Sequence, residues 1–250
     1  MGLAEQMEAI DRLMRRPQDL DELLAGSAED AAVLGTVDRP RLQATHGAFA
    51  ELVVARWWRP KFPAVIATLE HFLGADQAAS YLVGHPAFLT AEEEDLRGSA
   101  LGGAILAGVS GSKLAKLPAW LPELLAYEYL LALGLPRRAR GEEVDAELEA
   151  RLIPDAAWLS GGRLSREVLL AGFSWPVDAL QEEPHETEPD PHARLLYVEG
   201  QAVLDTSAPD VAGDVLELLA AGGDDATIAA LGAEALEALA WLRGAGLVTS

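Results

Sequence analysis

The 250-residue sequence predicts an α+β, mainly α protein: an N-terminal helical domain followed by a small C-terminal winged-helix-like domain of one β-hairpin and three helices. Three observations carry this. Apolar residues recur at helical spacing through most of residues 1–135. Two short apolar runs flank Glu199-Gly200, the pattern of a hairpin around a tight turn. Three further helical patterns then run to the C terminus. Half of the residues are apolar, enough for a sizeable core, and the length allows one large or two smaller domains at roughly 100–200 residues each.

The elements follow in order. Met7, Ile10, Leu13 and Met14 mark a helix that stops before Pro17, and Leu20, Leu23 and Leu24 begin another that ends at Gly26. Leu42, Phe49, Leu52, Val53 and Trp57 place a helix over Arg41–Trp58, closed by Pro60. Pro63 suits a helix start, with Val65, Ile66, Leu69, Phe72 and Leu73 along it before Gly74. Gln77–Val83 is next, ended by Gly84-His-Pro86. Residues 98–111 are rich in Gly and Ala and read as a helix that lets neighbours approach closely at the expense of intrinsic stability. The strongest helix, Pro122–Leu133, carries leucines and tyrosines on nearly every face and is expected to be central and buried.

After Gly134 the character changes. Residues 136–150 are highly charged, Glu167–Phe173 reads as a strand bounded by turn formers, and Trp175–Leu180 follows. Gln181–His192 holds three prolines among many acids and is expected to be an exposed linker. The hairpin pairs Arg194–Val198 with Gln201–Leu204. Asp205-Thr-Ser207 is placed to cap a helix over Pro209–Ala220; Thr227–Leu231 and Ala233–Arg243 are the last two helices. The domain division is therefore 1–135, a connector 136–193, and 194–250.

Composition excludes several functions. There are 40 Asp and Glu against 19 Lys and Arg, a formal charge of −21, so a nucleic-acid backbone is not an expected partner. The absence of Cys removes disulfides, thiol nucleophiles and Cys-ligated metals. The acidic, amphipathic N terminus has no basic or long apolar region of the secretory kind, and the longest apolar run, Ala100–Val109, is about half of the ~20 residues a membrane span needs. A soluble, cytoplasmic protein is expected, with no membrane partner.

Few motifs carry chemistry. The five histidines, His46, His71, His85, His185 and His192, show no His-Glu-x-x-His spacing, and His185 and His192 are expected to be solvated in the linker. Ser110-Gly-Ser-Lys113 matches the Ser-x-x-Lys pattern formally, without a second motif beside it. The Gly-rich segment lacks the spacing of a phosphate loop. Glu128, a carboxylate in an apolar helix, is expected to be a buried structural acid, paired with a helix such as the one bearing Arg56 and Arg59, because burial raises a carboxyl pKa unless a cation or donors offset it. Arg56, Trp57, Trp58, Arg59 and Lys61 form a basic, aromatic island in an acidic chain, which reads as a partner interface or, for the tryptophans, as core.

Several phrases occur together in order: Phe62-Pro-Ala-Val65 leading to Leu73-Gly74, Tyr81-Leu-Val-Gly-His-Pro86, Trp120-Leu-Pro-Glu-Leu-Leu-Ala-Tyr-Glu-Tyr129, and Trp175-Pro-Val-Asp-Ala-Leu180. In this order they resemble the partner subunits of multinuclear non-haem iron oxidative enzymes, a family that includes the partner protein of methanobactin biosynthesis. Residues 194–250 resemble a PqqD-type peptide-recognition domain. The resemblance implies a non-catalytic subunit that binds an iron-dependent barrel oxidative enzyme and positions a precursor peptide for modification, often at cysteine. The iron belongs to that partner, and no cofactor is expected in this chain. Arg56, Trp57, Trp58, Arg59 and Trp175 are then the expected enzyme contacts.

For the peptide, strand addition to the hairpin at Leu195–Leu204, with pockets between the hairpin and the helix Ala233–Arg243, is the physical expectation. Leu195, Tyr197, Val198, Val203, Leu236, Leu239 and Arg243 are the candidate peptide-binding residues, with core packing as the other reading of Leu236 and Leu239. A winged-helix transcription regulator is an alternative, although Ala233–Arg243 offers one Arg against two Glu. A stand-alone enzyme of unrecognised type is the second alternative.

Overall fold

The computed structural model describes residues 3–15, 17, 20–26, 35–90, 99–110, 117–184 and 187–249. It is α+β and mainly α, and it divides into two compact units, Met1–Leu121 and Pro122–Ser250.

The first unit is helical: α1 (Leu3–Arg15), α2 (Leu20–Gly26), α3 (Arg39–Val53), α4 (Pro63–Leu73), α5 (Ala75–Val83), α6 (Pro86–Thr90) and α7 (Ser99–Ser110). Helix α3 starts two residues earlier than its apolar pattern suggests. The Asp38 carboxylate caps it by accepting the Arg41 N–H at 3.3 Å, and Pro40 sits in its first turn, where no N–H is needed. It runs on as a π-helical turn, Val54–Trp58, in which the Arg59 N–H donates to the Val54 carbonyl at 2.8 Å. Trp58 is fully buried, edge-on to Phe88 with ring centroids 5.9 Å apart.

The Gly-rich helix α7 now has a cause. A Cβ on Gly102 would stand 2.9 Å from Cδ1 of Trp58, and one on Gly108 would stand 2.6 Å from Nε2 of His85. Only glycine lets α7 lie against these two rings.

The second unit opens with α8 (Leu121–Tyr129), whose first residue belongs to the preceding unit. A π-turn, Leu130–Gly134, leads straight into α9 (Leu135–Ala139). The helical path does not stop at Leu133, where the apolar pattern ends, because Pro136 falls in the first turn of α9, where no N–H is needed. Then come α10 (Ala146–Leu152), β1 (Ala156–Leu159), β2 (Val168–Phe173), α11 (Val177–Glu182), β3 (His192–Glu199), β4 (Ala202–Ser207), α12 (Ala212–Ala220), α13 (Asp225–Ala229) and α14 (Ala233–Gly244).

The hairpin is half of a four-stranded antiparallel sheet in the order β1-β2-β3-β4. The sheet is why residues 122–193 share a unit with the C-terminal segment instead of forming a separate connector: β2 pairs with β3 over its whole length, from Val168↔Tyr197 to Phe173↔His192. The expected cap at Asp205-Thr-Ser207 is also corrected. Those residues extend β4, and α12 begins at Ala212 after Val211, with no side-chain cap.

Strand alternation sorts the sheet into two buried faces. Trp158, Leu169, Ala171, Phe173, Leu196, Val198 and Val203 pack with Ala126, Tyr127, Leu130 and Leu135 of the α8–α9 region. Val168, Leu195 and Tyr197 pack on the other side with Val215, Leu219, Leu239 and Leu242 from the C-terminal helices. The unit is thus three layers, helix, sheet and helix.

Candidate functional site

Two features of the second unit are candidates, the outer edge of the sheet and a cleft at one end of it. Strand β4 pairs with β3 and with no other strand among the described residues. The Ala208 N–H donates to the Ala193 carbonyl at 2.9 Å, one step beyond the Arg194↔Ser207 pair. Hydrogen-bonded and open pairs alternate along an antiparallel ladder. Thr206, Leu204 and Ala202 therefore turn their backbone groups toward β3, while Val203, Asp205 and Ser207 turn theirs outward. The turn is the two residues Gly200-Gln201, with Gly200 at φ 63°, a left-handed conformation that favours glycine in such a tight turn.

Beneath this edge lies a charged network. Arg194 is 7% exposed, and its guanidinium donates to Asp205 at 2.9 and 2.5 Å, to Asp178 at 2.6 Å and to the Ser207 hydroxyl at 3.1 Å. The Tyr127 hydroxyl donates to Asp205 as well. Burial, reinforced by the hydrogen bond and charge of Asp205, raises the Tyr127 phenol well above its ordinary pKa. Arg194 has a reason to be there: on β3 it shares a face with Leu196 and Val198, so a cation entering this layer needs carboxylates from α11 and β4.

The cleft, about 640 Å³, lies where α10 runs into β1 and β2 ends. Ile153 and Phe173 are buried in it; Arg151, Asp155 and Ser174 are exposed. The Glu123 carboxylate accepts the backbone N–H groups of Ser174 at 2.7 Å and Trp175 at 3.1 Å, which fixes the end of β2 against α8. His192 also lines it. Its Nδ1 is 2.8 Å from the Asp190 carbonyl, and its Nε2 is buried without a hydrogen-bond partner, 3.9 Å from an Asp178 oxygen. His192 is thus the first residue of β3, not a solvated linker residue. His185 and Lys113 lie outside the described residues. No protein-family model, curated protein or solved structure matches this chain. What the site can do is therefore read from its own geometry.

The sequence-expected residues fall into groups. Leu195, Tyr197 and Leu239 are buried in the core between the sheet and the C-terminal helices, so they are corrected from peptide contacts to packing residues. They sit on a central strand or an inward helix face, where the apolar pattern is the same as for a groove. Leu236 is 43% exposed and Arg243 is paired with Asp225 at 2.7 Å; Val198 and Val203 are half-buried. Of the basic, aromatic island, Trp58 is a core residue and is likewise corrected, because the π-turn rotates it inward. Trp57 is half-buried, Arg56 is exposed, and Arg59 is paired with Glu70. Trp175 is half-buried beside Glu123 in the second unit. Glu128 is buried, 1% exposed, as its apolar helix led one to expect.

Sequence reasoning missed Arg194, Asp178 and Arg151 and took Asp205 for a cap. The available signal was the period-two pattern of His192–Glu199, which puts Arg194 among apolar residues of one face. No helix among the described residues is long and apolar enough to cross a membrane, and no three His, Asp or Glu among them converge to hold a metal ion.

Proposed function

We propose that this chain is a non-catalytic peptide-binding subunit. In this reading it takes an extended precursor peptide as an added strand on β4 and presents it to an iron-dependent barrel oxidative enzyme in the cytoplasm. The observation that carries the reading is the open edge of β4, where the backbone groups of Val203, Asp205 and Ser207 point outward. A strand added there gains main-chain hydrogen bonds of any sequence, and its alternate side chains select the register. The Arg194 network stiffens the edge from beneath, so little ordering is left for the peptide to impose on the subunit. The barrel enzyme enters from the resemblance of the ordered phrases between residues 62 and 180.

Val203→Pro is the direct test. Its N–H faces outward, so proline removes a group offered to the peptide without breaking a β3–β4 hydrogen bond. The expected outcome, after co-expression with a multinuclear iron barrel enzyme and its precursor peptide, is a wild-type complex retaining peptide on size exclusion and a V203P complex that keeps the enzyme and loses the peptide. Peptide retained in full by V203P would rule out the β4 edge; no co-elution of the enzyme with wild type would rule out the subunit reading.

A further inference from the structure

Among the described residues of the second unit one arginine has no carboxylate partner, and it stands at the cleft. Residues 122–250 contain 24 Asp and Glu, eight Arg and no Lys. Seven of the arginines have a carboxylate oxygen within 4.0 Å: Arg137, Arg138, Arg140, Arg163, Arg166, Arg194 and Arg243. Arg151 has none among the described residues, although Glu147 lies four residues before it and Asp155 four after. In a unit with three carboxylates for every guanidinium, an arginine left without one is the guanidinium still free to pair with an added anion.

The rest of the cleft narrows the anion. Ile153 and Phe173 give it a buried apolar floor. The Glu123 carboxylate is occupied by two backbone N–H groups, but Asp155 stands exposed on the same rim. A dianion would meet both acids with two charges; a single carboxylate on an apolar body meets one guanidinium and a greasy floor. The volume, about 640 Å³, lies within the ordinary range of small-ligand sites.

We propose that this cleft binds the carboxylate of an apolar or aromatic residue, either a free amino-acid-like acid or the C terminus of a peptide. Arg151 grips the carboxylate through two parallel N–H donors, and Ile153 and Phe173 take the side chain. The inference rests on Arg151 and the cleft and is independent of strand addition to β4.

The test uses the full chain, ¹⁵N-labelled, titrated with N-acetyl-L-phenylalanine, its carboxamide, acetyl-triglycyl-phenylalanine and inorganic phosphate. The acid is expected to shift the amide signals of Gly172, Ser174 and His192, and the carboxamide to leave them in place. Arg151→Gln is expected to weaken the acid at least about tenfold, the loss of one charge-assisted pair, with Arg151→Lys falling between. Both variants change an exposed side chain, and an unchanged far-UV spectrum verifies their fold. Binding of the tetrapeptide as well assigns the cleft to a peptide terminus; binding of the amino acid alone assigns it to a free acid. Absent shifts, equal binding of the carboxamide, an R151Q affinity equal to wild type, or the same shifts from phosphate would each overturn the proposal.

Discussion

Arg194 joins two carboxylates, a hydroxyl and, through Asp205, the Tyr127 phenol in one network whose Arg194–Asp205 half is largely shielded from water. Arg194→Met would leave Asp205, 14% exposed, without its cation, and breaking a buried pair from one side costs about 3 kcal/mol or more. Urea unfolding is expected to show that loss, with a smaller one for Asp205→Asn, which keeps an acceptor for the arginine. Tyr129 offers a second test. Its phenol is pushed up to about 12, first by burial and then by the Glu149 carboxylate. An unfolded tyrosine titrates near 10. The folded chain therefore holds this proton more tightly, a contribution fully present below about pH 10 and lost as pH rises toward 12. Tyr129→Phe is expected to lose less stability than wild type over that alkaline interval, read by the fall of Tm between the two pH limits.

At the level of elements, close approach decides where substitutions hurt. Gly102→Ala adds a methyl group 2.9 Å from the ring of Trp58, which is buried on all sides and has nowhere to move. The clash, about 1–3 kcal/mol, outweighs the gain of about 1 kcal/mol from alanine in a helix. Thermal denaturation should register a lower Tm for G102A and none for Gly47→Ala, where nothing lies within 4 Å. The same helix illustrates how far the sequence was legible. That residues 98–111 are helical and closely approached could be read from small residues; that Trp58 and His85 are what approaches could not, because spacing along one segment says nothing about which distant side chain arrives. Strand β2 and the hairpin were visible in their branched residues. Strand β1 was not, since Ala-Ala-Trp-Leu has no alternation to mark it and is held by its pairing with β2. The two π-turns were hidden for a similar reason: an extra residue in a helix leaves the composition unchanged and shows only in which neighbours become buried. At the candidate site the hairpin was legible, although its turn falls one residue later than Glu199-Gly200 and its second strand runs to Ser207 instead of Leu204, while Leu195 and Leu239 looked like groove residues because a groove and a core have the same apolar signature.

Over the whole molecule, a formal charge of −21 means that most ion pairs operate against a background of mutual repulsion. Added salt screens that repulsion more than it weakens the short, paired contacts, so Tm is expected to rise by several degrees between about 20 mM and 500 mM NaCl, measured calorimetrically. A protein held mainly by exposed ion pairs would show the opposite. The charge also bears on the open side of β4. An unpaired strand is an invitation to copies of the same chain as much as to a peptide, and edge strands are commonly protected by a lysine, a proline or a bulge. Strand β4, Ala-Val-Leu-Asp-Thr-Ser, has none of the first two, and its register with β3 runs without interruption. Long-range repulsion between like molecules then serves as the guard, keeping neighbours at a distance without any blocking residue on the edge itself.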